Sequence, residues 1–430
     1  MDTLFADSRG VSRAPTASNS SRSNQSAATA HPAVVLCLSP TGLSVARSLA
    51  PRGVAVYGSD PATHEIGHYS RWVKHEPRFS TAKPGPMLLE GLLAWAAEQS
   101  HQPVLFIAGD AYIDFVSDHR DVLSAHFILA KSMRREVNSL FTNKRSFYER
   151  CQNEGIAMPR TFFPKDEAEA ESAAETLRYP AIVKPTLGHL FRRKLKGDKL
   201  VEVHDATELL RWWQQFRDWG GESVLQEVIE GPEANIFVAG MYTDEQGECR
   251  SIFTARKSRQ YPPMYGSGSY MEACWSQEIA DLSIDLIRRL DYTGICGSEY
   301  KWDERDDQWK LIEVNTRPTL WFSLTRAAGV DVIWDAYCDL VGQPNPVHAN
   351  CQDDSMRWQL PVRDLVSGLH FLRKGTLSFG GFLRTVIDPR RKDYGDVSFR
   401  DPGTLFGLPA NTIYKYTQNI RGEQEDERDE

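Results

Sequence analysis

The segment GSEYKWDERDDQWKLIEVNTRP, residues 297–318, constrains the fold more than any other part of the chain. Two runs of alternating aromatic, apolar and charged residues flank the polar stretch ERDDQ, which reads as an antiparallel hairpin. Pairing Asp303 with Trp309 sets Glu299 directly opposite Glu313. Strand side chains alternate with period two, so Asn315 shares their face. Opposed carboxylates repel one another. Either the hairpin is exposed and its acids face water, or three hard oxygen ligands converge on a cation. Mg2+ suits the second case, because it takes a few carboxylates together with phosphate oxygens and water. Arg317 and Pro318 follow at once and crowd a guanidinium onto the same strand end.

Other residues bear on that choice. Lys184 lies in AIVKP, a lysine inside an apolar strand ended by proline, and an ammonium so placed calls for an anionic partner such as phosphate. Lys144 opens a helical pattern in TNKRSFYERC. Between these and the hairpin runs LQEVIEGPEANIFV, a strand bearing Gln226 and Glu227 that passes through Val228 into the turn at Gly231-Pro232. Such an extended link offers backbone donors and acceptors to an adenine edge, and Glu233 just beyond offers acceptors to ribose hydroxyls.

Taken in order, a helix-opening lysine, a VKP strand lysine, a strand-linker-glutamate segment and a terminal E…EVNTRP hairpin resemble the ATP-grasp superfamily over residues 34–340. The chain looks closest to its carboxylate–amine ligase branch, and ARKSRQYPPMYGSGSY is similar to the substrate segment of D-aspartate-ligase-like members. The resemblance implies that Lys144 and Lys184 hold ATP phosphates. It implies that Glu227 with the Val228 backbone holds adenine, with Gln226 beside them, and that Glu233 holds the ribose. Glu299, Glu313 and Asn315 would hold two Mg2+ ions, or Mn2+ in their place. Arg256 and Arg317 would face the transferred phosphoryl group and the substrate carboxylate, and Lys257 would help offset their charge. The implied reaction activates a small-molecule carboxylate as an acyl phosphate and passes it to an amine. The alternative is a nucleotide-binding regulator or scaffold that keeps the fold without ligation, and the presence of all three metal ligands favours an enzyme. One departure stands out: PTLGHLFRRKLKGDK, after Lys184, is basic rather than glycine-rich, with Arg192, Arg193 and Lys194 in place of backbone amides as sources of charge.

At 430 residues and 41% hydrophobic the chain has room for two or three domains, each with a core. The expected class is α/β and α+β multidomain, an N-terminal Rossmann-like domain followed by the ATP-grasp fold. Residues 1–30 form a Ser/Ala/Asn-rich leader without the apolar core of a signal peptide, expected to be disordered. Residues 31–130 carry the β-α-β pattern, 131–225 and 226–345 the two ATP-grasp subdomains, 346–420 a less periodic C-terminal appendage and 421–430 an acidic tail. No apolar run approaches the roughly eighteen residues of a membrane span. Seven scattered cysteines without a Cys-x-x-Cys spacing point to free thiols and a cytoplasmic setting. A net charge of −8 argues against a nucleic-acid partner, and the oligomeric state stays open, a homodimer included.

Other segments of the chain carry competing signals. HEIGH, residues 64–68, spells a zinc-protease signature, but Gly67 and the nearby Pro61 oppose the helix that it requires. The turn SPTG holds Gly42 alone and lacks the dinucleotide fingerprint, while Asp60 reads as a turn or capping acid. GSGS, residues 266–269, reads as a mobile substrate loop, and Trp212, Trp213 and Trp219 as core. Arg256, Lys257, Arg259, Arg317 and Arg326 carry more positive charge than a metal-bound triphosphate needs, so the substrate is expected to be acidic.

Overall fold

A computed structural model describes residues 31–186, 194–195, 200–343, 351–388 and 390–413. The leader, the acidic tail, Arg192 and Arg193 lie outside the described residues.

The first unit is a parallel sheet of β1 (Ala33–Leu36), β2 (Val56–Ser59) and β3 (Val104–Ile107) in the order β2-β1-β3. A parallel strand must bury both faces. In β1, Ala33 and Val35 enter one apolar cluster while Val34 and Leu36 enter another. The helices are α1 (Pro40–Leu49), α2 (Pro86–Ala96), α3 (Ala111–Asp118) and α4 (Arg120–Ser124). Pro40 opens α1 in the first-turn position that its missing N–H suits. Gly42 serves packing: a Cβ there would stand 1.9 Å from the Cys37 carbonyl oxygen.

The second unit follows α5 (Arg135–Thr142) and α6 (Lys144–Asn153). Its strands β4 (Thr161–Phe162), β5 (Ala181–Pro185), β6 (Val201–Val203) and β7 (Ser223–Glu227) pair antiparallel in the order β4-β7-β5-β6. Helices α7 (Glu167–Thr176) and α8 (Ala206–Asp218) back this sheet. Trp213 of α8 is buried there, and Trp212 and Trp219 pack partly buried against the same cluster.

The third unit is a seven-stranded sheet in the order β12-β11-β8-β9-β10-β13-β14. Its strands are β8 (Ile236–Thr243), β9 (Cys249–Tyr261), β10 (Ser267–Ala273), β11 (Gly294–Asp303), β12 (Gln308–Asn315), β13 (Arg357–Gln359) and β14 (Lys392–Tyr394). Phe237, Ala239, Met241, Cys296 and Leu311 cover one face, packed with residues of α6 and of α9 (Gln277–Arg289). Val238, Tyr242, Phe253 and Ala255 cover the other, packed with α10 (Phe322–Ala327), α11 (Val332–Leu340) and the first unit.

The C-terminal segment is no appendage. It contributes β13, which pairs antiparallel with β10, and β14, which pairs parallel with β13, along with α12 (Pro361–Arg373) and α13 (Phe379–Ile387). Strands of three residues are too short to show an alternating pattern in sequence. The expected mobile loop at 266–269 is likewise corrected, since Ser267 starts β10 and only Gly266 belongs to the turn. Among the described residues no helix is long and apolar enough to cross a membrane.

Candidate functional site

Near its turn the β11–β12 hairpin pairs one residue off the expected register: Asp303 meets Gln308 and Trp302 meets Trp309. A bulge between Glu299 and Tyr300, with Ile312 as the extra residue on β12, then shifts the ladder. Beyond the bulge Glu299 faces Glu313 and Gly297 faces Asn315, so the acids meet as the sequence predicts. Glu299 is largely buried and accepts from Lys257 Nζ at 2.6 Å. Burial pushes its carboxyl up, Lys257 pulls it down, and the Glu313 charge adds to the rise. Glu313 is exposed and has no hydrogen-bond or ion-pair partner among the described residues. Two carboxylates and an amide on one strand pair form the hard-oxygen donor set that Mg2+ takes, so these residues fit that ion.

Lys184, on β5, is half-buried with neutral partners. It donates to Tyr148 Oη at 3.1 Å and Gln226 Oε1 at 2.9 Å, and its ammonium lies 5.0 Å from the Tyr148 ring centroid. Tyr148 in turn donates to the Ile312 carbonyl at 3.4 Å, which ties the lysine to the residue before Glu313. Sequence reasoning missed Tyr148, whose signal was its place on α6 one turn after Lys144, four residues on and therefore on the same helix face. Lys144 is the first residue of α6, whose N-terminus Asn143 caps by accepting from Ser146 N–H. Gln226 is buried and also donates to Thr161 Oγ1 at 2.7 Å. Lys194 turns from this group and donates to the Trp219 carbonyl at 3.5 Å.

The link after β7 is held by basic side chains of the hairpin. Lys301 donates to the carbonyls of Ile229 and Gly231 at 2.6 and 3.1 Å, and Arg305 to that of Val228 at 3.1 Å. Lys310 donates to Glu227 at 3.1 Å, to Asp303 at 2.8 Å and to Asp306. Burial works against the Lys310 charge, but these carboxylates outweigh it and raise its pKa. Glu227, Asp303 and Asp306 cluster closely enough to suggest a metal site, yet the Lys310 ammonium supplies their cation. The groups expected to meet adenine are engaged too: Val228 N–H donates to Pro180 O at 3.0 Å and Glu227 accepts from Arg160 N–H at 3.1 Å.

Glu233 is buried and accepts from Gln260 N–H, Gln260 Nε2 and Met264 N–H at 2.9, 3.1 and 2.6 Å. Burial raises its pKa against these donors. Gln260 Oε1 accepts from Lys257 at 3.2 Å, so Glu233, Gln260, Lys257 and Glu299 form one continuous chain. Gln260 was not foreseen, because its role depends on the β9–β10 turn folding back over Glu233.

Comparison with known proteins bears on this arrangement. Residues 269–337, which include Glu299, Glu313 and Asn315, match the family described as carbamoyl-phosphate synthase L chain, ATP binding domain. The chain is 25% identical over 246 residues to D-aspartate ligase of Enterococcus faecium (strain Aus0004), covering 54% of this chain and 58% of that one. It thus spans less than two thirds of that relative. The biotin carboxylase domain of Hydrogenobacter thermophilus 2-oxoglutarate carboxylase, solved with MgADP and bicarbonate, superposes with a TM-score of 0.58 at 15% identity, over 75% of this chain and 72% of that one. L-amino acid ligase from Bacillus licheniformis gives 0.53 at 17%, over 73% and 75%. The chain has the ATP-grasp fold.

Within this ATP-grasp chain the expected cationic cluster divides. Arg256 and Lys257 are neighbours on β9 and point to opposite faces. Lys257 reaches Glu299, whereas the Arg256 guanidinium lies 5.3 Å from the Phe237 ring centroid on the side packed with α9. Arg259, expected to meet a substrate anion, instead makes a buried bidentate pair with Asp364 at 2.7 and 2.8 Å. Arg326 pairs with Asp393 at 3.5 Å. Arg317 remains beside the β11–β12 hairpin and donates to Asp110 at 2.6 Å, just past the carboxyl end of β3. Burial opposes its charge, and Asp110 outweighs that and raises its pKa. The first unit thus turns its strand ends toward the site, the edge at which open parallel sheets bind ligands. In the same region Asp60 accepts from the N–H groups of Leu38 and Ala62, a turn role. The HEIGH segment forms only a short 3-10 turn, Ile66–Tyr69, with His68 Nε2 3.0 Å from the Asp60 carbonyl.

Proposed function

We propose that this chain is an ATP- and Mg2+-dependent carboxylate–amine ligase. The observation that carries the proposal is the Glu299–Glu313 pair with Asn315, joined through Ile312 and Tyr148 to Lys184. Glu299, Glu313 and Asn315 would hold Mg2+, which supplies charge neutralisation at the β- and γ-phosphate oxygens. Lys184 and Lys144 would bind phosphate, and the 227–233 link with Glu233 would bind the nucleoside once the bonds now closing it exchange partners. Arg317 would orient the substrate carboxylate for in-line attack on the γ-phosphorus. That attack forms a carboxyl O–P bond, breaks the γ-P–O bond and releases ADP. The amine then attacks the acyl carbon, expels phosphate, loses its proton and leaves an amide. No nucleophilic side chain takes part.

Anion meets anion in the first step, so catalysis rests on positive charge fixed in advance. An acidic amino acid is the proposed carboxylate or amine partner. The likeness to the E. faecium D-aspartate ligase supports this reading, and so does Arg317 beside the hairpin. The test is ADP release by purified protein against paired acidic and neutral amino acids, with hydroxylamine present to trap the acyl phosphate. Hydroxamate formation dependent on one carboxylate supports the proposal. ADP release that no carboxylate stimulates refutes it.

A further inference from the structure

Helices α12 and α13 wear their apolar stripes on the outside. The buried residues of α12 are Asp364, Ser367 and Gly368. Asp364 pairs with Arg259, Ser367 donates to the Gln260 carbonyl at 2.5 Å, and Gly368 lies against the Phe382 ring of α13, where a Cβ would come within 2.3 Å. The stripe facing solvent is Val362, Leu365, Val366 and Leu369, 41, 51, 47 and 43% exposed at i, i+3, i+4 and i+7 spacing. Helix α13 buries no residue. Its Phe379, Leu383, Val386 and Ile387 are 70, 42, 49 and 67% exposed. A surface helix of a water-soluble domain normally turns such a stripe toward the core, and a contiguous exposed one marks an interaction surface.

Charge decides what covers it. Residues 361–392 hold seven Lys and Arg against two Asp, in a chain whose net charge is −8. Of the two acids Asp364 is buried beneath Arg259, and Asp388 is paired with Arg390 at 2.6 Å. Arg373, Lys374 and Arg384, on these helices or at their ends, are exposed, and exposed Arg391 beyond α13 pairs with Asp353 at 3.8 Å. We propose that the α12–α13 hairpin docks the protein onto an anionic bilayer surface. The apolar side chains enter the boundary between headgroups and acyl chains, and the basic ones reach the lipid phosphates. A second copy fits less well, because a two-fold contact would oppose two positive faces. The acidic segment RGEQEDERDE, residues 421–430, offers opposite charge but has no apolar side chain to cover a stripe. Docking would leave the fold intact, since α12 is fixed to β9 through Arg259–Asp364 and Ser367–Gln260.

The test is co-sedimentation of the full chain with vesicles of phosphatidylcholine alone and of phosphatidylcholine containing about a third phosphatidylglycerol. Binding to the anionic vesicles should be at least about tenfold tighter and should weaken with salt. Two double variants, Leu365→Ser with Ile387→Ser and Arg373→Glu with Arg384→Glu, should each lose about tenfold while melting as the wild type does, because all four side chains are exposed. Absence of vesicle binding, or binding that neither double variant weakens, overturns the proposal. A wild-type dimer that the Leu365→Ser, Ile387→Ser variant dissociates would assign this face to a second copy and overturn it as well.

Discussion

Replacing Lys310 with methionine keeps the apolar stem and removes the ammonium that three carboxylates share. Its side chain is 4% exposed, those of Glu227 and Asp303 are 0 and 1%, and the contacts to them are 3.1 and 2.8 Å. Asp303 keeps its bonds to Arg305 at 2.9 Å, and half-exposed Asp306 keeps Arg178. Glu227 is therefore the group left uncompensated, and one of its oxygens, Oε2, already lacks a partner. Breaking a buried pair by removing one member costs about 3–5 kcal/mol. At about 2–4 °C per kcal/mol for a unit of some 200 residues, the variant should melt at least about 6 °C lower at pH 7. The pH dependence gives a second check. Lys310 is one of the two cationic groups that stabilise the ionised form of buried Asp303, and Lys310→Met removes its share. Burial alone would raise the Asp303 pKa, but Arg305 and Lys310 hold it well below the usual carboxylate range, so its stabilisation is present above the unfolded value and fades on acidification. The variant has less of this stabilisation to lose, so the gap between the two proteins narrows as pH falls below the unfolded carboxylate value of about 4. Melting curves from about pH 2.5 to 7.5 measure this. A deficit under about 1 kcal/mol at pH 7, or one that widens toward acid, would refute the reasoning.

Lys184→Ala should weaken ATP binding by calorimetry at least about tenfold, since it removes a cation whose two hydrogen-bond acceptors, Tyr148 and Gln226, are both neutral. Unchanged affinity would show that it serves only to fix Tyr148. Glu313→Gln should cost far more in turnover than in melting temperature, because it removes one of the carboxylates proposed to hold Mg2+ while easing its repulsion with Glu299. Near-normal turnover would make the hairpin structural. Arg259→Ala should lower stability by about 3 kcal/mol, because buried Asp364 loses its cation and keeps only the neutral donors Gln359 and Ser269, yet leave the ratio of acidic to neutral substrate turnover unchanged. A shifted ratio would return Arg259 to the substrate site.

What the sequence disclosed followed from local patterning. The hairpin, the β-α-β start, the strands around 181 and 224 and the opposition of Glu299 and Glu313 were all legible from alternation and turn chemistry. The opposition was reached through a turn register one residue off, which the bulge at Ile312 compensates. Ladder irregularities leave no periodic trace, so the agreement came from two offsetting shifts and not from the expected turn register. Long-range partners were not legible. Arg259 and Asp364 are 105 residues apart, Arg317 and Asp110 207 apart, and only the fold decides that the first pair is structural while the second borders the site. Lys184 was legible as a lysine out of place, but the hydroxyl and amide that hold it were not. The closing of Glu233 by Gln260 and Met264 depends on the β9–β10 turn, which sequence marked only as a loop.

The proposed ligation transfers a substrate carboxylate oxygen to phosphorus, and isotope labelling measures that transfer directly. With both carboxylate oxygens labelled with oxygen-18, attack on the γ-phosphorus followed by amine displacement carries one label into each inorganic phosphate released in water of natural abundance. Mass spectrometry of the phosphate should find one heavy oxygen per ADP formed. Unlabelled phosphate formed in step with ADP would mean that water, not the carboxylate, attacks the nucleotide, and would contradict the assignment of a ligase.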